Sequence, residues 1–173
     1  MEDNALVLEL RPIEQRDAEL ITRAFAAVGQ VKPERQYLDY VAEREAEIRY
    51  SWLALRGGAV AGYVTLHFNP LYPGIAGKGI PEVQDLYVVP AERRRGVGSA
   101  LLECAEQGAA ARARRVAIAV GLHAGYNAAQ RLYVRRGYVP DGLGVTYDDR
   151  YVQRGETLPV DDQLLLHLIK ALP

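Results

Sequence analysis

At 173 residues the chain has the length of one domain, and 49% apolar with 25% charged residues is the mixture of a folded globular protein rather than a disordered one. A formal charge of -1 gives no electrostatic reason to expect nucleic-acid binding, and no apolar run is long enough to span a bilayer. The single cysteine, Cys104, excludes an internal disulfide, and its alanine-rich surroundings mark it as a small core residue. His67, His123 and His167 match no metal-ligand spacing, so no metal is expected, and Met1–Asn4 with its two acids reads as no secretory signal and a cytoplasmic location.

In chain order, Leu6, Leu8 and Leu10 alternate with Val7 and Glu9 up to Arg11-Pro12, a first strand. Asp17 offers an N-cap to a helix with Leu20, Ile21, Ala24, Phe25 and Val28 at helical spacing, closed by Gly29. A second helix is expected over Glu34 to Ile48. Tyr50 to Leu55 and Ala59 to Phe68 form an antiparallel hairpin across Gly57-Gly58, a pair that supplies the positive φ a tight turn needs. Asn69 to Gly79, rich in proline and glycine, is a loop. Ile80 to Val89 is a strand, Gly98 to Arg112 a helix burying Leu101, Leu102, Ala105 and Ala109, and Val116 to Val120 a strand. A short helix over Asn127 to Arg135 ends at Gly137, and strands over Gly144 to Val152 and Gln163 to Ile169 close the series. The order βααβββαβαββ joins an antiparallel meander to a β-α-β unit: an α+β fold with a mixed, mostly antiparallel sheet flanked by helices.

The chemistry concentrates where the fourth strand runs into a helix, through Leu86-Tyr87-Val88-Val89-Pro90-Ala91-Glu92-Arg93-Arg94-Arg95-Gly96-Val97-Gly98-Ser99. A glycine-punctuated turn at a helix start lets unpaired backbone N–H groups and the positive end of the helix dipole converge on an anion. Gly96 and Gly98 carry no Cβ, so a ligand can approach their backbone, and three arginines add positive potential. A pyrophosphate suits such a turn; the alternative is an ordinary solvated basic turn. The Gly-Lys-Ser/Thr ending of a P-loop is absent, and Leu101 stands where a dinucleotide fingerprint has its third glycine.

Arg93-x-x-Gly96-x-Gly98 resembles the coenzyme A motif of the GNAT acetyltransferases, and Ala129-Gln130-Arg131-Leu132-Tyr133, followed by Gly137-Tyr138, resembles the family's later helix. The resemblance covers about Leu6 to Tyr138 and implies one N-acetyltransferase domain over residues 1–173 with acetyl-coenzyme A as cosubstrate. By the same resemblance the amides of Arg94, Arg95, Gly96, Val97, Gly98 and Ser99 hold the pyrophosphate, beside Arg93. The backbone of Val88 and Val89 pairs with the pantetheine arm and acetyl group, and Tyr133 sits beside the sulfur. The family's pantetheine-contacting asparagine falls at Tyr126, with Asn127 one residue later.

Acetyl transfer to an amine needs a neutral nitrogen, and deprotonating an alkylamine at neutral pH costs about 4–5 kcal/mol, so a general base is expected. Glu82 is the first choice because its eleven-residue separation from Arg93 matches the base glutamate of histone-type members; Asp85 is the second, resembling the acids of polyamine-type members. Strict alternation puts the two on opposite faces, unless the bulge that the family carries in this strand shifts the phase. His123 is a weaker base candidate. Tyr133 is the candidate proton donor to the departing thiolate, and a backbone N–H near Val88 stabilises negative charge on the acetyl oxygen. For the acceptor, Asp148, Asp149, Glu156, Asp161 and Asp162 offer attraction for a cation or are a solvated face, and Tyr37, Tyr40, Tyr63, Tyr72 and Tyr147 offer a polar aromatic lining. A small-molecule amine is the expected acceptor, a protein amine the neighbouring case, and a homodimer an expectation from resemblance. The competing class is a non-catalytic coenzyme A-binding sensor or scaffold.

Overall fold

The computed structural model describes residues 7–173, so the expectations placed on Met1–Asn4 and on Leu6 lie outside the described residues. The fold is mixed α+β, mostly antiparallel strands flanked by four helices among the described residues. Two compact units divide the chain, one running through His67 and resuming over Gln84–Gly108, the other taking Phe68–Val83 and Ala109–Pro173.

In the first unit, strand β1 (Leu8–Pro12) pairs antiparallel with β2 (Arg49–Arg56), which pairs antiparallel with β3 (Ala59–His67). The β2–β3 hairpin turns on Gly57 and Gly58, whose φ values of +56° and +80° match the Gly-Gly expectation. Strand β4 (Glu82–Val88) follows β3 in the hydrogen-bonded order. Val60 to Leu66 are all buried, as befits a strand covered on both faces. One face meets helices α1 (Ala18–Ala26) and α2 (Glu34–Glu45), where Ile21, Phe25, Tyr37, Leu53, Val60 and Tyr63 form a core. The other meets helix α3 (Val97–Ala110), which turns Leu101, Leu102, Ala105 and Ala109 inward as its spacing predicts. At Gly62 a Cβ would lie 2.4 Å from the Tyr87 carbonyl oxygen and 3.2 Å from Leu101 Cδ1, so only glycine fits there.

Several boundaries move. Strand β1 runs through Pro12 rather than breaking at Arg11, because an edge position tolerates the missing N–H. Helix α2 stops at Glu45, not Ile48: Glu47 takes φ +57° and the Ile48 and Glu47 amides fold back to Glu43 and Arg44, a C-terminal motif usually marked by glycine. Asp17 sits at the α1 N-cap position, yet its carboxylate makes no cap bond; it accepts both Arg11 guanidinium nitrogens at 2.6 and 2.7 Å and the Glu14 amide at 2.8 Å. Leu20 and Val28 are exposed, since burial on α1 follows Ala18, Ile21 and Phe25. Cys104 is half-buried rather than core, flanking the buried Ala105 on α3.

In the second unit, the start of β4 pairs in parallel with β5 (Arg115–Gly121) at Glu82↔Ala117 and Val83↔Ile118. Strand β8 (Leu164–Ala171) lies antiparallel between β5 and β6 (Val139–Tyr147). Helix α4 (Asn127–Arg135) matches its expected span, closed by Gly137 at φ +88°. The strand expected over Gly144 to Val152 is two strands: β6 starts at Val139, and Asp148 and Asp149, both at positive φ, turn it into β7 (Arg150–Tyr151). A register shift between Pro140 and Val145 lets residues 141–144 leave the β6–β8 ladder. The 69–79 segment is irregular as expected, and buries Tyr72 and Ile75 with Ile80 and Ala117 in a second core.

Candidate active site

In the first unit, the segment after β4 begins with one turn of tight helix over Pro90–Glu92. Val89 uses both backbone groups internally, donating to Ala61 O at 3.0 Å and accepting from Glu92 N at 2.9 Å. Beyond it the chain reverses through Arg94 at φ +60° and Gly96 at φ +84° into α3. The first bond of that helix runs from Ala100 N to Gly96 O at 3.0 Å, and the amides of residues 94–99 make no backbone hydrogen bond among the described residues. Six consecutive unpaired donors at a helix N-terminus form a preorganised anion cradle. A Cβ built at Gly96 meets nothing within 4 Å, so space stands open before them. These features fit a pyrophosphate. The arginines differ from a simple basic patch. Arg95 pairs with Glu92 at 2.8 Å, Glu92 also holds Arg56 at 2.8 Å, and Arg93 Nε donates to the Val88 carbonyl at 3.2 Å.

Upstream on the same strand, Asp85 takes φ +48°, a left-handed residue inside an otherwise extended strand. Both carboxylate oxygens are engaged. Oδ1 accepts Lys32 Nζ at 2.9 Å; Oδ2 accepts the Tyr40 hydroxyl in a short bond and Gln36 Nε2 at 3.4 Å. Lys32 also donates to the Tyr63 hydroxyl at 2.8 Å and lies 5.5 Å from that ring's centroid. Tyr37 stands edge-on to Tyr40 and Tyr63, and burial pushes its phenol up to about 12. Burial, reinforced by the Asp85 charge, raises Tyr40 and Tyr63 as well, so all three stay protonated at neutral pH. Arg49, held by Glu43, Thr65 and Gln84, stacks 4.9 Å from the Tyr40 ring.

In the second unit, Glu82 is 6% exposed at the start of β4, so it is no ordinary strand-end charge. Its Oε1 lies 3.8 Å from Nδ1 of the buried His167 on β8. His167 Nε2 is 2.8 Å from Thr146 Oγ1, its Nδ1 has no hydrogen-bond partner, and its ring stacks on Tyr72 at 3.4 Å. The Tyr72 hydroxyl donates to Asp141. Burial depresses His167 below the usual histidine value, against the opposing pull of Asp141 and Asp149. On α4, Tyr133 is buried, its phenol is raised by that burial, and its hydroxyl makes no hydrogen bond among the described residues. Asn127 opens the same helix.

Of the remaining candidates, His123 caps a short turn through Gly125 N and pairs with Asp162 at 2.8 Å. Glu156 pairs with Arg150 and Asp161 accepts from Tyr147, so these acids serve local contacts. Of the five tyrosines, Tyr37, Tyr40 and Tyr63 cluster in the first unit, while Tyr72 and Tyr147 belong to the second. Lys32, Gln36 and His167 escaped the sequence reading. Lys32 carries no motif, and His167 sits in an apolar strand pattern, where only its place on one face with Leu165 and Ile169 hinted at burial.

The family model described as acetyltransferase (GNAT) family matches residues 14–138. No curated protein matches the chain by sequence. Among solved structures, the GNAT acetyltransferase of Streptococcus pneumoniae is similar at TM-score 0.70 and 18% identity, over 96% of this chain and 100% of that one. Salmonella typhimurium yncA, solved with its cofactor acetyl-CoA, is similar at 0.69 and 18%, over 96% and 94%. Arabidopsis thaliana NAA60 in complex with acetyl-CoA is similar at 0.67 and 19%, over 95% and 98%. At these identities the likeness is one of fold.

Proposed function

The chain belongs to the GNAT acetyltransferase family, and we propose that, as one domain acting in the cytoplasm, it transfers an acetyl group from acetyl-coenzyme A to the primary amine of a small molecule. The observation that carries this reading is the run of six unpaired amides at residues 94–99 before open space at Gly96. Acetyl-coenzyme A supplies the activated acetyl group when bound. The amides of Arg94, Arg95, Gly96, Val97, Gly98 and Ser99 bind its pyrophosphate, and Arg93, tied to the Val88 carbonyl, braces the strand end. Val88 and Val89 border the pantetheine arm, with Asn127 as a further polar contact. Glu82 is the base that takes the acceptor's proton, directly or through one water, since an amine becomes a nucleophile only when neutral. Tyr133 Oη holds the proton that the departing thiol needs, and the raised value of its phenol keeps it there at neutral pH.

Thermal-shift titration tests the cofactor half of the reading. A ligand that binds only the folded state raises stability by RT ln(1 + [L]/Kd), about 2.7 kcal/mol at a hundredfold excess over Kd. Acetyl-coenzyme A is expected to raise the Tm by several degrees in wild type and not in Gly96→Trp, whose side chain fills the open space, while NADH shifts neither. Absence of a shift with any coenzyme A species in wild type overturns the reading.

A further inference from the structure

We propose that the Asp85 cluster in the first unit is a recognition subsite for a primary alkylammonium group, and that Lys32 is its tethered occupant in the free protein. The proposal deepens the transferase reading, on which it rests for identifying the ligand as the acceptor.

Lys32 reaches the cluster from residues 27–33, the connection between α1 and α2, where it alone is half-buried and the rest are exposed. Its ammonium meets a carboxylate oxygen at 2.9 Å and, at the edge of the Tyr63 ring, a hydroxyl oxygen at 2.8 Å. An anion and a neutral acceptor together suit a primary ammonium, whose N–H donors point in different directions. The receiving groups are fixed without Lys32. Tyr40 and Gln36 on α2 hold the second Asp85 oxygen, Arg49 backs the Tyr40 ring, and the left-handed backbone of Asp85 sets where its carboxylate leaves β4. Backbone held in a sparsely populated region is a mark of functional sites.

The occupant is held loosely. The Lys32 and Asp85 side chains are each 30% exposed, and an ion pair so open to water exchanges readily. Tethering gives Lys32 an effective concentration on the order of millimolar, so an external alkylammonium at comparable concentration competes with it. Lys32 thus sets a threshold: acceptors with an ammonium group displace it, and neutral analogues do not.

The test is calorimetric titration of wild type, Lys32→Met and Lys32→Met/Asp85→Asn with n-butylammonium chloride, beside 1-butanol as the neutral isostere. If Lys32 fills the site nine-tenths of the time, its removal tightens n-butylammonium binding by about tenfold. The double variant is expected to lose that gain, and 1-butanol to bind none of the proteins measurably. Equal binding to wild type and Lys32→Met, or equal binding of the alcohol, overturns the proposal. A measurement on wild type alone guards against misfolded variants: the Lys32 ε-carbon NMR signal is expected to move toward that of a free lysine as n-butylammonium is added, and an unmoved signal overturns the proposal. Acetyl-coenzyme A binding, measured on the same samples without amine, tests the transferase reading separately. Its absence beside intact ammonium binding overturns that reading and leaves the subsite standing; the converse overturns the subsite alone.

Discussion

Asp17 shows how one residue serves more than its local signal announces. A helix N-cap was legible from its position, but the carboxylate is 3% exposed and spends its oxygens on a two-pronged Arg11 contact and the Glu14 amide. The Arg11 hydrogen bonds hold it below the usual carboxylate range. Its contribution is therefore fully present above the unfolded value near about pH 4 and is lost as pH falls through the lower folded value. Asp17→Asn is expected to cost about 3 kcal/mol in urea unfolding at pH 7, the scale for leaving a largely buried guanidinium without its partner. That difference should narrow steadily below about pH 4; a difference that stays constant down to acid pH contradicts the assignment. At the reaction itself, Glu82→Gln keeps the shape and removes the base, so kcat is expected to fall by about a hundredfold or more once an acceptor is in hand. Tyr133→Phe should reduce kcat with little change in KM for acetyl-coenzyme A, as single-turnover assays would resolve.

Among the elements, what the sequence made legible is what its punctuation marks. The Gly57-Gly58 hairpin, the Gly137 helix end and the inward face of α3 all stand where glycine or helical spacing put them. Two of the misplaced boundaries fall where acidic residues adopt glycine-like backbone: Glu47 ends α2 early, and Asp148 with Asp149 splits the strand expected over Gly144 to Val152. Propensity cannot anticipate these, because the left-handed conformation there is imposed by surrounding bonds rather than favoured by the residue. The turn into α3 was legible for the opposite reason, since Gly96 stands where the chain reverses at positive φ. The ammonium cluster was not, because Lys32, Gln36, Tyr63 and Asp85 are distant in sequence and meet only through the first unit's packing. Gly62 had no signal of its own either, yet its missing Cβ lets the backbones of β3 and β4 come close. Gly62→Ala is expected to destabilise by about 1–3 kcal/mol in chemical denaturation, the usual cost of overpacking. A neutral result would mean that the Tyr87 carbonyl yields easily.

For the whole molecule, the two compact units carry buried groups that titrate in different pH ranges. His167 in the second unit is held neutral by burial below its usual value, so stability there is complete above about pH 6.5 and is lost as pH falls toward the lower folded value. In the first unit His67, at the end of β3, is depressed by burial in the same way, and Asp17 adds a further loss below about pH 4. Acidification below about pH 6.5 is therefore expected to raise amide exchange in β6 and β8 and around His67 at the end of β3, while β1 keeps its protection to about pH 4. His167→Gln should remove the early rise in β6 and β8 and leave the changes around His67 and in β1; an early rise in β1 would contradict this order.

The place of β8 has a consequence for how the chain is made. It is synthesised after β5 and β6 yet lies between them, pairing along Arg115↔Ala171 on one side and Val139↔Ile169 on the other. A ribosome releasing the chain from its N-terminal side gives β1, β2 and β3 their partners early, for their pairings need nothing beyond His67. Strand β5 can pair with β4 and β6 with β7, but each keeps its other edge unpaired until Leu164–Ala171 arrives to be inserted between them. The interval between those events is when the nascent chain is most exposed to wrong pairing, and a pause in translation shortly before residue 164 would lengthen it.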